Sequence, residues 1–390
     1  MADAPAATPA AAEAFTRGEP ISVEVDRIEG ALAGLWKEAS RDAGGAVARA
    51  ALWNIVVATR AADLERTKRT VDELAPLVPA RVLVLVEDPT AEKTDEAAAR
   101  VQASIESNVV ARSGGARVVY SEEITLRGGV AGDQHFGGLV RALQVPGLPT
   151  ATLWLDPTMP EALLRRQLRP ATDRLVLDTG RCTRPRQLLE IDRCADLARG
   201  AIPVADLGWL RLASFRLLFA GLFDPPVGGG PLGGARRVKI EHKPGAEVSA
   251  LLLAAWLASA LDWLFASAEP AAPGAPALFR FDRAKDGAAA GSVEITLTPS
   301  EGACGTSGIV AIELATADAS GAESAYSVRR AEQNLATISV PIAPPRSMKL
   351  DSRTDAELVL SALGPAGADP LFRRALTLAA RLATFASAGT

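Results

Sequence analysis

The sequence predicts an α/β protein in two parts, and three observations support this class. Short, apolar, β-branched runs alternate with helical patterns in the N-terminal half, which favours a mixed, partly parallel sheet with flanking helices. Alternating apolar and polar residues recur in the C-terminal half, which favours an α+β domain with an antiparallel sheet covered by helices. A Pro/Gly-rich stretch separates the halves, and the 390 residues, 48% of them hydrophobic, suffice for a core in each.

The N-terminal half opens with helical apolar spacing over residues 23–40 and continues with a βαβ pattern. Residues 52–58 and 81–86 are apolar without alternation, as is typical of strands that are buried on both faces. Residues 61–77 between them carry one apolar helical stripe. The pattern predicts two parallel strands joined by a crossover helix.

An antiparallel pair is predicted next. Residues 101–105 and 118–126 alternate with period two on either side of a Ser-Gly-Gly turn at 113–115. The rest of this half is predicted to contain strands at 150–155 and 174–177 and helices at 136–143, 160–168, 187–197 and 209–223.

Residues 225–234 are predicted to be a linker without regular structure, because proline removes backbone donors and clustered glycine raises the entropic cost of ordering. Beyond the linker, a long apolar helix and several alternating strands are expected. The predicted strands are 237–241, 278–281, 293–297, 309–314, 326–330 and 338–340, and helices at 354–363 and 369–385 close the chain.

These patterns give a domain interpretation with four segments. Residues 1–22 are rich in Ala, Pro and Thr without the pattern of a signal peptide, so we interpret them as a disordered tail. An N-terminal α/β domain over 23–224, the linker over 225–234 and a C-terminal α+β domain over 235–390 follow.

One segment raises the alternative of a membrane anchor. Residues 248–268 are 21 residues with Asp262 as their single charge. A charge inside a span costs about 2–3 kcal/mol, and Ala and Ser dilute the Leu content, so we favour a buried helix of a soluble protein.

Composition excludes several classes of function. The net charge of −4 gives no electrostatic footprint for nucleic acid or an anionic membrane, so protein or small-molecule partners are expected. Two histidines, His135 and His242, and three cysteines cannot form a Cys/His zinc cluster, and no metal or cofactor is predicted. The odd number of cysteines argues against a disulfide scaffold and for the cytoplasm.

The search for catalytic motifs finds none. The first strand–helix junction at 56–60 has no glycine for a dinucleotide site, no Walker sequence occurs, and the Gly-rich stretches 128–132 and 228–234 are interpreted as ordinary loops. No G-x-S-x-G elbow accompanies either histidine, so both are interpreted as structural. Inert thiols are favoured for Cys182, Cys194 and Cys304, and a redox role stays open as the alternative.

Two charged clusters keep a binding role open. Glu122 and Glu123 are successive strand residues that point to opposite faces, so one of them is expected to face inward and to need a partner. They form either a structural network or a binding site. A second cluster consists of Arg165, Arg166 and Arg169, on the predicted helix at 160–168 and just after it, with Asp156 nearby. These arginines form either a solvated face or a contact for a phosphosugar or an acidic partner.

Several stretches, in order along about residues 28–385, resemble the glucose-6-phosphate dehydrogenase assembly protein family, also called the OpcA subunit of that enzyme. The stretches are NIVV at 54–57, PARVLVLV at 79–86, SEEITL at 121–126, PGLPTATLW at 146–154, DLGWLRLASFR at 206–216 and LLLAAWLAS at 251–259. Gly208 and Phe215 depart from the Asn-like residue and the Trp expected in this family.

The resemblance implies a non-catalytic protein that binds glucose-6-phosphate dehydrogenase, promotes its assembly into an active oligomer and activates it allosterically, in support of the oxidative pentose phosphate pathway. The alternative from a different class is a sugar-phosphate or nucleotide-binding enzyme, whose nonstandard site would consist of Arg165, Arg166, Arg169 and Asp156 at the carboxyl end of the predicted strand 150–155. Because Trp and Arg are enriched at interface hot spots, the family's strongest blocks supply the candidate partner contacts. These are Trp209, Arg211, Arg216 and Phe223, followed by Glu122 and Glu123. The competing interpretation is that Trp209 and Phe223 only pack a core.

Overall fold

The computed structural model describes residues 14–42, 51–88, 101–111, 117–129, 135–156, 163–197, 202–225, 230–269, 276–283, 291–364 and 369–386. The chain divides into two compact units, each described separately below. Unit 1 comprises Met1–Leu153 and Ala162–Asp173, and unit 2 comprises Trp154–Glu161 and Arg174–Thr390. Both units combine β-strands with helices, so the predicted α/β class is confirmed.

The strands of unit 1 lie in the order β1-β5-β6-β4-β3-β7, with β2 also paired to β5. The strands are β1 (Ala14–Arg17), β2 (Ile21–Val23), β3 (Trp53–Arg60), β4 (Ala80–Glu87), β5 (Gln102–Ala111), β6 (Arg117–Gly128) and β7 (Thr150–Trp154). The helices are α1 (Ile28–Asp42), α2 (Leu64–Leu74) and α3 (Phe136–Leu143).

The predicted βαβ unit and antiparallel pair are both confirmed. β3 and β4 are parallel and joined through α2, and their central residues are buried on both faces, which is why their sequences lack alternation. β5 and β6 are antiparallel, and the predicted turn at 113–115 lies outside the described residues. The predicted helix at 136–143 coincides with α3.

The predicted disordered tail is wrong for part of its length. β1 and β2 both pair with β5 in antiparallel register, so residues 14–17 and 21–23 belong to the sheet. Edge pairing needs only backbone groups, and the composition of the segment did not indicate it. The rest of the predicted tail, residues 1–13, lies outside the described residues.

Unit 2 contains the parallel pair β8 (Arg174–Leu177) and β9 (Val204–Asp206) and a separate eight-stranded sheet. The sheet strands are β10 (Ala235–His242), β11 (Leu264–Glu269), β12 (Ala277–Asp282), β13 (Ser292–Pro299), β14 (Ile309–Ala317), β15 (Glu323–Glu332), β16 (Leu335–Val340) and β17 (Ala343–Lys349). They lie in the order β11-β12-β13-β10-β14-β15-β16-β17.

The helices of unit 2 follow the same chain order. They are α4 (Gln187–Leu197), α5 (Leu207–Arg211), α6 (Ala213–Gly221), α7 (Glu247–Ala260), α8 (Asp355–Leu363) and α9 (Pro370–Ala386). α7 is apolar on all sides because it packs on β10 and β13 and also against α9.

The second sheet, predicted to be antiparallel, also contains one parallel pair, β10 and β13. A parallel pair needs a crossover, and α7 together with the β11–β12 hairpin supplies it. β17 was not predicted because it contains Pro344 and Pro345. It lies at the edge of the sheet, where a strand tolerates a missing backbone donor.

The apolar stretch at 248–268 is not a single helix as predicted. α7 ends at Ala260, Asp262 adopts a left-handed φ of 51°, and the chain returns as the edge strand β11. Within the part of the chain that the structure describes, no helix is long and apolar enough to cross a membrane.

Three further predicted elements differ in detail. The helix predicted at 209–223 is two helices, α5 and α6, which are divided at Leu212, and α5 begins early because Asp206 is its N-cap. The described part of the helix predicted at 160–168 is a π-helical segment, Leu164–Leu168, that passes into a 3-10 turn containing Pro170. The predicted linker holds a regular element after all, a 3-10 turn at Gly230–Gly234. The compact units divide elsewhere, and the predicted domain boundary at 225–234 stays a prediction.

Two glycines of unit 2 with positive φ allow a test of the packing at the start of α7. Gly308 has φ 69°, and a Cβ built on it would contact the Cβ of Ala246, whereas Gly321 has φ 83° and open space around it. Gly321→Ala should lower the free energy of unfolding by about 1–2 kcal/mol from backbone strain alone. Gly308→Ala should cost at least about 1 kcal/mol more, because it also overpacks. Urea unfolding of the two variants measures the difference, and equal losses would contradict the close contact.

Candidate partner-binding site

The candidate site in unit 2 is built where β8 and β9 end. The two strands are parallel with Leu177 opposite Asp206, so the residues that follow them lie side by side. The carboxylate of Asp206 accepts hydrogen bonds from the backbone N–H of Thr179 at 2.7 Å, its hydroxyl at 2.6 Å, and the backbone N–H of Trp209 at 2.7 Å. Asp206 is therefore the N-cap of α5 and also ties the two strand ends together.

Burial determines the protonation of Asp206, which is 1% exposed. Loss of hydration raises the pKa of this carboxyl to about 6, and the neighbouring charge of Asp178 adds to the rise. The hydrogen bonds from Thr179 and Trp209 oppose the rise by stabilising the ionised form. A carboxyl of this kind is partly protonated near neutral pH, unlike an exposed aspartate.

Asp178 is the second buried carboxylate, and two arginines neutralise it. Nη1 of Arg211 lies 2.6 Å from Asp178 Oδ1, and Nε of Arg181 lies 3.1 Å from Oδ2. Arg211 also donates through Nη2 to Asp355 at 2.7 Å, at the start of α8. Burial alone would lower the pKa of Arg211, but the charges and hydrogen bonds of Asp178 and Asp355 outweigh burial and raise it.

Trp209 is buried beside this network and joins α5 to α9. Its indole Nε1 donates to Asp369 at 2.9 Å, and its ring packs on Phe372 with a centroid distance of 5.5 Å. The guanidinium of Arg216 lies over the indole ring, with Cζ 3.4 Å from the ring centroid, and its Nη2 donates to the carbonyl of Trp209 at 3.1 Å. Burial lowers the pKa of Arg216 to about 10. This cation is held by an aromatic face and a carbonyl.

Phe223 is half-buried just beyond α6. Its ring contacts Phe219 at 5.6 Å and Tyr326 at 5.1 Å between centroids. The structure thus brings Trp209, Arg211, Arg216 and Phe223 into one region of unit 2, with the side chains of Trp209 and Arg211 turned inward.

Glu122 and Glu123 lie on β6 in unit 1, and their side chains contact different partners. Glu122 accepts from Nε of the buried Arg81 at 2.8 Å. Arg81 also contacts Glu29 and donates to the carbonyl of Leu143 at 2.7 Å. Burial alone would lower the pKa of Arg81, but Glu29 and Glu122 outweigh it and raise it.

Glu123 contacts Lys68 of α2, and it pairs in register with Glu106 of β5, which also reaches Lys68 at 3.4 Å. Two buried carboxylates share one ammonium group. Burial raises the pKa of Glu123 and the charge of Glu106 adds to the rise, while Lys68 opposes it. The two glutamates form structural networks within unit 1.

The remaining residues of interest are placed as follows. His135 is exposed directly before α3, and His242 is buried with its Nδ1 2.9 Å from the carbonyl of Lys243. Cys182 and Cys194 are buried, and Cys304 is partly exposed. Burial, with nearby carboxylates, raises the pKa of the Cys182 thiol.

The predicted arginine cluster belongs to unit 1, whereas Asp156 belongs to unit 2. Arg166 and Arg169 are exposed, the side chain of Arg165 lies outside the described set, and Asp156 is buried in unit 2. Among the described residues, no three His, Cys, Asp or Glu side chains are grouped to hold a metal ion.

The two departures from the family pattern are both buried. A Cβ on Gly208 would contact the Thr179 hydroxyl and lie 2.8 Å from the backbone nitrogen of Gly180, so this packing requires glycine. Phe215 is fully buried, and the Arg330 guanidinium lies 5.2 Å from its ring centroid.

The sequence analysis did not identify Asp178, Asp206 or Leu217 as candidate site residues. Asp206 directly precedes a helical pattern, and that N-cap signal could have identified it. Leu217 is 73% exposed on α6 between the buried Phe215 and Phe219, and only the structure shows which way it faces. It is the most exposed large apolar side chain of the described residues.

Fold and site together define an α/β protein in which Asp178, Arg181 and Arg211 form a buried ion-pair network. The sequence matches the N-terminal domain of the glucose-6-phosphate dehydrogenase subunit over residues 71–193 and the C-terminal domain of the same subunit over residues 202–376. The two matches follow each other and span most of the chain. The chain belongs to the glucose-6-phosphate dehydrogenase subunit family, also called the OpcA family.

Curated relatives agree with this assignment. The chain is 30% identical over 195 residues to a protein of Nostoc punctiforme that is provisionally named OxPP cycle protein OpcA, covering 50% of this chain and 40% of the relative. A protein of Synechocystis with the same provisional name is 29% identical over 192 residues, covering 49% and 39%. The matched region thus spans about two fifths of the length of these relatives.

Solved structures show a weaker likeness. An oxidoreductase from Sinorhizobium meliloti aligns over 87% of this chain and 97% of its own with a TM-score of 0.48 and 11% identity. A 3-ketoreductase from Actinomadura kijaniata aligns over 87% and 98% with a TM-score of 0.46 and 13% identity. Likeness at this level carries no argument about function.

The raised pKa of Asp206 predicts a pH dependence of stability. Between about pH 4 and pH 6 the folded chain retains a proton that the unfolded chain has released, so the free energy of unfolding should fall by up to about 3 kcal/mol as pH rises. Asp206→Asn should remove this slope. Thr179→Val should extend the slope to higher pH, because it deletes a hydrogen bond that lowers the pKa. Urea unfolding across this range measures the slopes, and an unchanged slope in Asp206→Asn would contradict the assignment.

Proposed function

We propose that this chain is a non-catalytic protein that binds glucose-6-phosphate dehydrogenase, promotes its assembly and activates it allosterically, in support of the oxidative pentose phosphate pathway. The observation that carries the proposal is the match to both domains of the dehydrogenase subunit, in order along one chain. The names of the curated relatives, which refer to the OxPP cycle, support the same pathway. A cytoplasmic location is part of the proposal and rests on the odd number of cysteines.

An activator of this kind acts by differential affinity. It must bind the active, assembled dehydrogenase more tightly than the inactive form, since a ligand with equal affinity for both forms shifts nothing. A coupling of about 1–3 kcal/mol, typical of allosteric systems, would change the equilibrium constant between active and inactive enzyme by about 5- to 150-fold.

The surface proposed to contact the dehydrogenase is centred on α6. The stack of Arg216 on Trp209 fixes the start of this helix, and Phe215 and Phe219 anchor its inner side. Leu217 stands outward between them, in the manner of an apolar interface anchor. Direct contact by Trp209, Arg211, Arg216, Phe223, Glu122 and Glu123 stays a prediction. The inward side chains of Trp209 and Arg211 would act by holding α5 and α6 in place.

The direct experiment mixes the purified chain with the glucose-6-phosphate dehydrogenase of its own organism. We expect a complex on size-exclusion chromatography with light scattering, a larger dehydrogenase oligomer, and a shifted substrate-saturation curve. No complex and no change in saturation would overturn the proposal. Turnover of sugar phosphate or nucleotide by the chain alone would contradict its non-catalytic part.

A paired substitution tests the α6 surface. Leu217→Asp should weaken the complex by at least about tenfold, because it places a charge at an apolar contact. Leu264→Asp is the matched control, since Leu264 is 64% exposed on the edge strand β11, and it should leave the affinity unchanged. Both variants are first checked for native unfolding behaviour. Equal affinities for the two variants would show that α6 is not the contact surface.

A further inference from the structure

Unit 2 contains a cavity of about 560 Å³ at one end of its eight-stranded sheet. The 3-10 turn at Gly230–Gly234 forms one wall, and the connection between β14 and β15 forms another. The lining also includes Arg236, Arg283 and Tyr326. The volume lies within the range of about 300–1,000 Å³ that is usual for small-molecule sites.

A β-bulge directs Arg236 toward this cavity. Ala235 pairs with Thr316 and Arg237 pairs with Ala315, so Arg236 is the extra residue between them. A bulge re-aims the side chain that it carries. Arg236 is exposed, and its Nη1 lies 3.0 Å from the position that a Cβ on Gly291 would take.

Arg283 reaches the same point from the end of β12. Its Nε donates to the carbonyl of Gly291 at 3.4 Å, and its Nη1 contacts the carbonyl of Gly233. Its guanidinium also contacts the position of a Cβ on Gly291, so the two positive charges lie beside the same glycine. Burial lowers the pKa of Arg283, and the charge of Arg236 adds to this effect.

Neither arginine has a carboxylate at ion-pair distance among the residues that the structure describes. By contrast, Arg181 and Arg211 of unit 2 share Asp178 between them. Two adjacent guanidinium groups without a counter-charge repel each other, and a bound dianion would relieve the repulsion. A phosphate monoester carries close to two negative charges and accepts forked hydrogen bonds from arginine.

The rest of the cavity wall carries groups that bind hydroxyls. The Asp318 carboxylate is fixed by its own turn, since its Oδ1 accepts from the backbone N–H of Ser320 at 2.8 Å and of Ala322 at 3.0 Å. Thr316 and Ser324 add short polar side chains to the lining. A fixed carboxylate repels a second phosphate but accepts hydrogen bonds from alcohol groups, as a polyol would supply.

We propose that this cavity binds a small phosphorylated sugar, with the phosphate held between Arg236 and Arg283 and the sugar hydroxyls directed toward Asp318. The site lies wholly within unit 2 and does not depend on the proposed partnership with the dehydrogenase.

Isothermal titration of the full chain, without any dehydrogenase, tests the proposal with three probes. Glucose 6-phosphate should bind saturably with one site per chain, and inorganic phosphate should compete with it more weakly. Unphosphorylated glucose should give no saturable binding. Absence of saturable binding by glucose 6-phosphate, or equal binding by glucose, would overturn the proposal.

Substitutions locate the site. Arg236→Gln should weaken glucose 6-phosphate binding by at least about tenfold. It should leave the fold intact, because this side chain donates no hydrogen bond to the described residues. Arg237→Gln is the matched control on the same strand, where an exposed arginine pairs with Glu323, and its affinity should be unchanged.

Arg283→Lys keeps the charge but loses the planar fork, so an intermediate affinity is expected. Wild-type affinity in Arg236→Gln, or an equal loss in Arg237→Gln, would overturn the assignment. Complex formation with the dehydrogenase is measured separately, so failure of either proposal leaves the other open to its own test.

Discussion

The buried carboxylates at the ends of β8 and β9 are the constraint on which the candidate site depends. Asp178 and Asp206 are both out of water, and a buried carboxylate must be neutralised or hydrogen-bonded. Arg181 and Arg211 neutralise Asp178, while Asp206 is satisfied by three donors and by its raised pKa. Removing one partner of such a network typically costs about 3–5 kcal/mol, because the other charge stays buried. The network therefore fixes where α5 begins and how Arg211 reaches α8.

A fixed α5 gives the neighbouring helix a defined surface. Trp209 is held by Asp369, Phe372 and Arg216, and this arrangement determines how α6 exposes Leu217. The end of α6 also reaches the proposed sugar-phosphate cavity, since Phe223 packs on Tyr326, a residue of the cavity wall. A protein that acts by binding needs a rigid contact surface, because the free energy spent on ordering a flexible surface would reduce the affinity.

The sequence indicated much of this fold because hydrophobic periodicity is local. The βαβ pattern of β3, α2 and β4, the antiparallel β5 and β6, and the helix α3 all follow from runs of neighbouring residues. Edge strands escaped prediction, since β1, β2 and β17 are paired through the backbone and carry no strong pattern. The prediction of a single helix over the apolar stretch at 248–268 was wrong for a related reason. An all-apolar run gives no period, so nothing in it marked the end of α7 at Ala260.

By itself the sequence determined the α/β class, the family and the residue types available for binding. Only the tertiary structure decided which charges meet, because ion pairs join residues that are distant along the chain. Arg211 reaches Asp178 and Asp355, and it is buried, whereas Arg236 and Arg283 converge without a carboxylate among the described residues. Amino-acid composition does not distinguish these arginines from one another. Burial and strand register determine which role each arginine has. A guanidinium that pairs with carboxylates stabilises the fold, whereas one that lies beside another guanidinium is a candidate anion-binding group.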